Sequence, residues 1–139
     1  MYRQLGADFH DSYRQFFQAL LEAAGRPVLW HCSAGKDRTG FAAALTLRLL
    51  GVDDQIMMGD YLLSQDQVDI NRRQMLTLGL MRGPRAARFV RRMHDVDQNW
   101  LETAFQTVDQ TWGDFNQYVK KALGLRFSDI NQLREYYLE

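Results

Sequence analysis

The sequence predicts one mostly helical domain, with helices around a single short strand that leads into a loop carrying the only cysteine. Three observations predict it. At 139 residues with 46% hydrophobic and 12% aromatic residues, the chain has the length and composition of one folded domain with its own core. Apolar residues recur at helical spacing over most of its length. The short apolar run Pro27-Val28-Leu29-Trp30 reads instead as a buried strand, and it ends at His31-Cys32.

In chain order, the spacing of Phe16, Phe17, Leu20 and Leu21 predicts an amphipathic helix over 9–24, closed by Gly25 and Pro27. After the strand and loop, Thr39 opens an Ala-rich helix over 39–50 that is apolar nearly all round, which makes it the central buried helix. Gly51 closes it. A helix starting at Val52-Asp53-Asp54 carries Ile56, Met57, Tyr61 and Leu62, with Gly59 tolerated inside it. Another is expected over 66–78, with Gly79 and Gly83-Pro84 as punctuation, and Pro84 suits the first turn of a helix over 84–93. Trp100, Leu101, Ala104, Phe105 and Val108 predict a helix over 97–111, broken by Trp112-Gly113-Asp114. Asp114 caps a helix over 115–123, Gly124 stops it, and Ser128 reads as the cap of the last helix, through Tyr137. No repeat, low-complexity tract or linker divides the chain, so 1–139 reads as a single domain.

Seventeen basic and seventeen acidic residues cancel, which argues against a general nucleic-acid binder. A single cysteine excludes an internal disulfide, and two scattered histidines, His10 and His94, make a metal site improbable. No apolar run approaches membrane-spanning length, and no signal-peptide core is visible, which leaves the compartment open. Between Asn71 and Met93 stand seven arginines and no acid. Of these, Arg82, Arg85, Arg88, Arg91 and Arg92 recur at helical spacing. They are either a solvated face paired with flanking acids or a basic rim for phosphoinositide headgroups or acidic phosphopeptides. The neighbouring Met75, Leu76, Leu78, Leu80 and Met81 could cover a site, but as an apolar cluster they read first as core.

The chemistry is concentrated in His31-Cys32-Ser33-Ala34-Gly35-Lys36-Asp37-Arg38-Thr39-Gly40. A strand-to-helix turn here lets the loop N–H groups converge at a helix N-terminus, where they hold an oxyanion and favour a thiolate. Cys32 so placed becomes a nucleophile at neutral pH. Gly35 turns the loop, Arg38 supplies a planar fork for two phosphate oxygens, and the Thr39 hydroxyl can donate to the sulfur when it leaves. With no second cysteine to protect it, Cys32 is open to oxidation.

His31-Cys32-x-x-Gly35-x-x-Arg38-Thr39 resembles the signature of the cysteine-dependent tyrosine phosphatases. With Gly35-Lys36-Asp37-Arg38-Thr39-Gly40 it is most similar to their bacterial tyrosine and phosphoinositide branch. Asp60-Tyr61-Leu62-Leu63-Ser64, Trp112-Gly113 and Leu123-Gly124-Leu125 extend the resemblance toward the C-terminus. The resemblance implies an α/β family fold, of which this chain would be a mostly α portion without the N-terminal sheet-forming region. The chain is then a fragment, or a companion chain supplies the missing strands, or it is a reduced version that packs differently, for instance by exchanging elements in a homodimer.

The resemblance also implies the roles. Cys32 attacks phosphorus, and Ser33, Ala34, Gly35, Lys36, Asp37 and Arg38 hold the transferring group. Asp37 is the general acid or, alternatively, a loop carboxylate paired with arginine, with Asp8, Asp11, Asp60 and Asp66 in reserve. Lys36 adds charge for a second phosphate or an inositol ring, or is a solvated surface lysine. His31 braces the loop by a hydrogen bond. The function expected is a phosphatase without a cofactor, acting through a phosphocysteine on a phosphorylated protein, with phosphotyrosine favoured and phosphoinositides open. The alternatives are a truncated, non-catalytic phosphate-binding module and, ranked low, a rhodanese-like sulfur carrier.

Overall fold

Helix α3, Asp37–Leu50, sits at the centre of the computed structural model, and one of its faces buries Gly40, Phe41, Ala44, Leu45 and Leu49. The structure describes residues 1–33, 35–67, 72–86, 88 and 96–138. Before α3 come α1, Tyr2–Ala7, and α2, His10–Ala23. After it come α4, Asp54–Gln67, then α5, Arg72–Arg82, and a helical turn at 84–86. Helix α6, Gln98–Trp112, and the short α7, Phe115–Gln117, lead into a π-helical turn, Tyr118–Ala122, and the last helix, α8, is Phe127–Tyr137.

The core has one centre. Phe41 and Leu45 of α3 are fully buried, together with Leu5, Phe17, Leu101, Val108, Tyr118 and Leu133 from five other elements. Helix α1 lies along α6, α3 packs on α4, α8 and α1, and α2 rests on α8 and the π turn. Gly6 sets the closeness of α1 to α6: a Cβ there would stand 2.6 Å from the Ala104 carbonyl oxygen. The π turn leaves the Ala122 carbonyl outside ordinary helical pairing, and Arg14 donates to it from Nε and Nη2 at 3.0 and 2.7 Å.

The helix-rich expectation holds, and several local ones need correction. No strand occurs among the described residues. Residues 27–32 carry no regular secondary structure and Leu29 is 91% exposed, because an extended run with no paired neighbour has nowhere to place its N–H and C=O groups except water. Helix α1 is additional, and α3 begins at Asp37, two residues before Thr39. In place of a helix over 66–78, α4 runs on to Gln67 and α5 spans Arg72–Arg82 with Gly79 inside it. The helix expected over 84–93 lies mostly outside the described residues.

The last helix starts before Ser128. Its cap residue is Arg126, whose backbone N–H donates to Asp129 Oδ2 at 2.8 Å. Asp114 caps α7 as expected, its carboxylate accepting the Gln117 N–H at 2.7 Å. Of the apolar cluster near 75–81, Leu76, Leu80 and Met81 are exposed and are not core, while the side chains of Met75 and Leu78 lie outside the described residues. Arg82, Arg85 and Arg88 are exposed too, whereas Arg91, Arg92 and His94 lie outside the description.

Candidate active site

Cys32 lies in the irregular segment before α3, and Arg38 is the second residue of that helix. Both line one cleft of about 200 Å³, with Tyr13, Phe16, Trp30 and Thr39 among its other walls. Its aromatic side is built by α2 and the segment before the loop: the Phe16 and Trp30 rings meet edge to face at 5.2 Å. The Trp30 indole N–H donates to the Thr39 carbonyl at 3.5 Å, which ties the approach segment to the start of α3.

The turn between them has a clear local cause. Gly35 has φ of +69°, in the left-handed region that side-chain-bearing residues avoid. Ala34 lies outside the described residues. Helix α3 makes its first backbone bond from the Gly40 N–H to the Lys36 carbonyl at 2.7 Å, so the N–H groups before Gly40 have no partner within the helix. The N-terminal end of a 14-residue helix therefore stands at the loop. Arg38 donates from Nη2 to Ser33 Oγ at 3.0 Å, spanning the loop from end to start.

Lys36 is not a solvated surface residue. It is 3% exposed, with its ammonium 3.7 Å from Asp37 Oδ1 and 5.3 Å from the centre of the Trp100 ring. Asp37 does not line the cleft of Cys32. Its carboxylate accepts a hydrogen bond from the Tyr2 hydroxyl, which lies 2.7 Å from the Tyr61 hydroxyl. Burial pushes the Tyr2 phenol far above its ordinary range, with the bonds to Asp37 and Tyr61 adding to the effect. Burial also takes Tyr61 up to about 12, so both phenols keep their protons at neutral pH.

The remaining expected residues are placed as follows. The Thr39 hydroxyl is buried with no hydrogen-bond partner among the described residues, and the same holds for Tyr13. Burial raises the Tyr13 phenol, Arg38 acting against this and Cys32 with it. His31 lines the cleft but is exposed, and the hydrogen bond that would make it a brace is not formed among the described residues. Asp11 is on the surface beside Arg14 at 3.3 Å, and Asp8 is exposed. Asp60 lines a second cleft, of about 260 Å³, with Leu29, Gly35 and Tyr61. The Asp66 side chain lies outside the description. Among the described residues no group of histidines, cysteines and carboxylates could hold a metal ion, and no helix is long and apolar enough to cross a membrane.

Sequence reasoning missed Tyr2, Tyr13, Tyr61 and Trp100. In the sequence Tyr61 is an apolar helix position within the stretch Asp60-Tyr61-Leu62-Leu63-Ser64, with nothing to mark its hydroxyl. The available signal was weak: a buried phenol must find a partner for its hydroxyl, and Asp37 is a nearby acceptor only once the helices are packed.

A model of the tyrosine phosphatase family matches residues 1–139. The chain is 38% identical over 145 residues to the triple specificity protein phosphatase PtpB of Mycobacterium tuberculosis, a match covering 89% of this chain and 52% of that protein. It is 36% identical over 137 residues to a Cupriavidus necator protein named as a tyrosine-protein phosphatase, covering 94% of this chain and 47% of that one. A tyrosine-protein phosphatase of Nostoc commune matches at 42% identity over 52 residues, 37% of this chain and 18% of that protein. The chain thus spans about half the length of the first two curated relatives.

Proposed function

Because this chain belongs to the tyrosine phosphatase family, we propose that it hydrolyses phosphomonoesters with Cys32 as nucleophile. The observation that carries the reading is that Cys32 and Arg38 line one cleft at the N-terminal end of α3. In the first step the thiolate attacks phosphorus while the bond to the leaving oxygen breaks and Asp37 protonates that oxygen. Arg38 and the first-turn N–H groups of α3 hold the phosphoryl oxygens as charge builds on them. In the second, water attacks the phosphocysteine, Asp37 takes the water's proton, and the sulfur leaves with the Thr39 hydroxyl donating to it.

Asp37 stands outside the lining of the apo cleft, and contacts of this kind tighten when substrate is bound. The aromatic walls from Tyr13, Phe16 and Trp30 favour an aryl phosphate, hence phosphotyrosine, over a sugar ring. A match to a relative named as a triple specificity protein phosphatase supports a substrate range wider than phosphotyrosine alone.

Turnover of an aryl phosphate tests the reading. Cys32→Ser is expected to lower it by at least about a thousandfold, and unchanged turnover would remove the proposal. Asp37→Asn is expected to slow esters of poor leaving groups by about a hundredfold or more while sparing those of good ones. Equal slowing of both would place the acid elsewhere.

A further inference from the structure

Three helices meet at the Asp37 carboxylate in an arrangement that phosphate binding does not call for. Tyr2, at the start of α1, and Tyr61, in α4, are both buried, and their hydroxyls are in contact at 2.7 Å. A phenol has one proton to donate. Tyr2 donates its proton to Asp37 Oδ1, so the Tyr61 hydroxyl must be the donor to Tyr2. The protons therefore run in one direction, from Tyr61 to Tyr2 to Asp37.

The same oxygen faces an ammonium. Lys36 places its ammonium 3.7 Å from Oδ1 while stacked over Trp100, and the Trp100 ring lies 5.5 Å from that of Tyr2. The hydrogen bond from Tyr2 and the ion pair with Lys36 both go to Oδ1. An oxygen that already accepts from a hydroxyl and faces an ammonium is a poor place for a further proton, whereas the C=O oxygen of a protonated carboxyl can still accept from Tyr2.

We infer that the buried Tyr61–Tyr2 pair is a positioning device for Asp37: it pins Oδ1 as the accepting oxygen and leaves Oδ2 to carry and deliver the proton. This rests on the assignment of Asp37 as general acid and deepens it. The geometry serves both half-reactions. When Asp37 is protonated, Oδ2–H faces the leaving oxygen while Oδ1 stays bound to Tyr2. After the proton has moved, the same Tyr2 bond holds the carboxylate as Oδ2 takes the proton back from water. Neither phenol gains or loses a proton in the cycle, in keeping with the raised pKa values of both.

The charged and titratable groups around the device come from every helix at the junction. They are Tyr2 on α1, Lys36 and Arg38 at the start of α3, Tyr61 on α4, and Asp97 at the start of α6, whose charge acts on Tyr61.

The test is the pH profile of kcat/KM for aryl phosphates of good and poor leaving groups, measured for wild type, Tyr2→Phe, Tyr61→Phe and Asp37→Asn. In Tyr2→Phe the alkaline limb is expected to be displaced from its wild-type position. Turnover of the poor leaving group is expected to fall about tenfold more than that of the good one. Tyr61→Phe, which acts one bond further away, is expected to shift the limb in the same direction by less. A purely structural role would slow all substrates together and leave the limb in place, and that result would overturn the inference. The Asp37→Asn arm separates the two claims. Slowing of the poor leaving group well beyond the good one in Asp37→Asn, with no effect from either phenol, refutes the positioning device alone, whereas equal slowing of both in Asp37→Asn refutes the acid assignment beneath it.

Discussion

Replacing Gly6 with alanine probes whether the packing of α1 on α6 reaches the Asp37 carboxyl. The added Cβ would stand 2.6 Å from the Ala104 carbonyl oxygen, 3.1 Å from Val108 Cγ2 and 3.2 Å from the Val108 nitrogen. Two of these three contacts are backbone, which cannot rotate away, so α1 must withdraw by about 0.8 Å to reach ordinary contact distance. Forcing a methyl into a packed contact costs about 1–3 kcal/mol. The better helix propensity of alanine offsets up to about 1 kcal/mol of that. The net expectation is a loss of about 1–2 kcal/mol, which lowers Tm by about 3–8 °C for a domain of this size. Tyr2 lies four residues earlier on the same face of α1, so the withdrawal draws its hydroxyl away from Asp37. Thermal unfolding followed by circular dichroism, with the ratio of turnover on poor and good aryl leaving groups, reads both effects. A Gly6→Ala protein that melts at or above the wild-type temperature would refute the packing argument. A lowered Tm with the leaving-group ratio unchanged would refute the link from α1 to the carboxyl.

Two further substitutions read the energetics away from the cleft. Tyr118 is fully buried and its hydroxyl has no hydrogen-bond partner among the described residues, so Tyr118→Phe is expected to stabilise the fold by about 1 kcal/mol, seen as a rise in Tm of a few degrees. A fall in Tm would mean that the hydroxyl is bonded. Asp129 is held below its ordinary carboxylate range by the hydrogen bonds of the Arg126 side chain and backbone N–H. A depressed folded-state pKa contributes stability above the unfolded value and loses it as pH falls through the folded one. Asp129→Asn is therefore expected to lower the unfolding midpoint in urea near neutral pH, with the gap to wild type closing below about pH 4. A gap that stays constant down to acid pH would refute the assignment.

The parts of the fold that were legible are those whose cause is local. The apolar positions of α3 and the glycine that ends it, Gly51 at φ +89°, are within a few residues of one another, and Asp114 is next to the helix that it caps, α7. The errors came where a local pattern had two readings. Val28-Leu29-Trp30 has strand composition, but composition does not supply a partner, and Leu29 faces water. Gly79 looked like a stop and is a helix-interior residue of α5. Ser128 has the chemistry of a cap, yet Asp129 captures the Arg126 N–H one residue later and moves the helix start back to Phe127. Helix α1 has only six residues, too few to show a period, and owes its place to burial of Tyr2, Leu5 and Gly6 against α6.

The same division runs through the site. Cys32 and Arg38 line one cleft because a seven-residue stretch turns at Gly35, and Arg38 reaches back to Ser33, so spacing alone brings thiol and guanidinium together. The surroundings of Asp37 are of another kind. Its hydroxyl partner is 35 residues away in the chain, and the second phenol is 59 residues beyond that one. No periodicity in α1 or α4 marks Tyr2 or Tyr61 as polar, because by pattern each is simply an apolar face position. If proton delivery depends on those phenols, its precision rests on how closely α1 and α4 approach α3. Gly6, which touches α6 and neither Cys32 nor Asp37, then belongs to the determinants of rate as much as to those of stability.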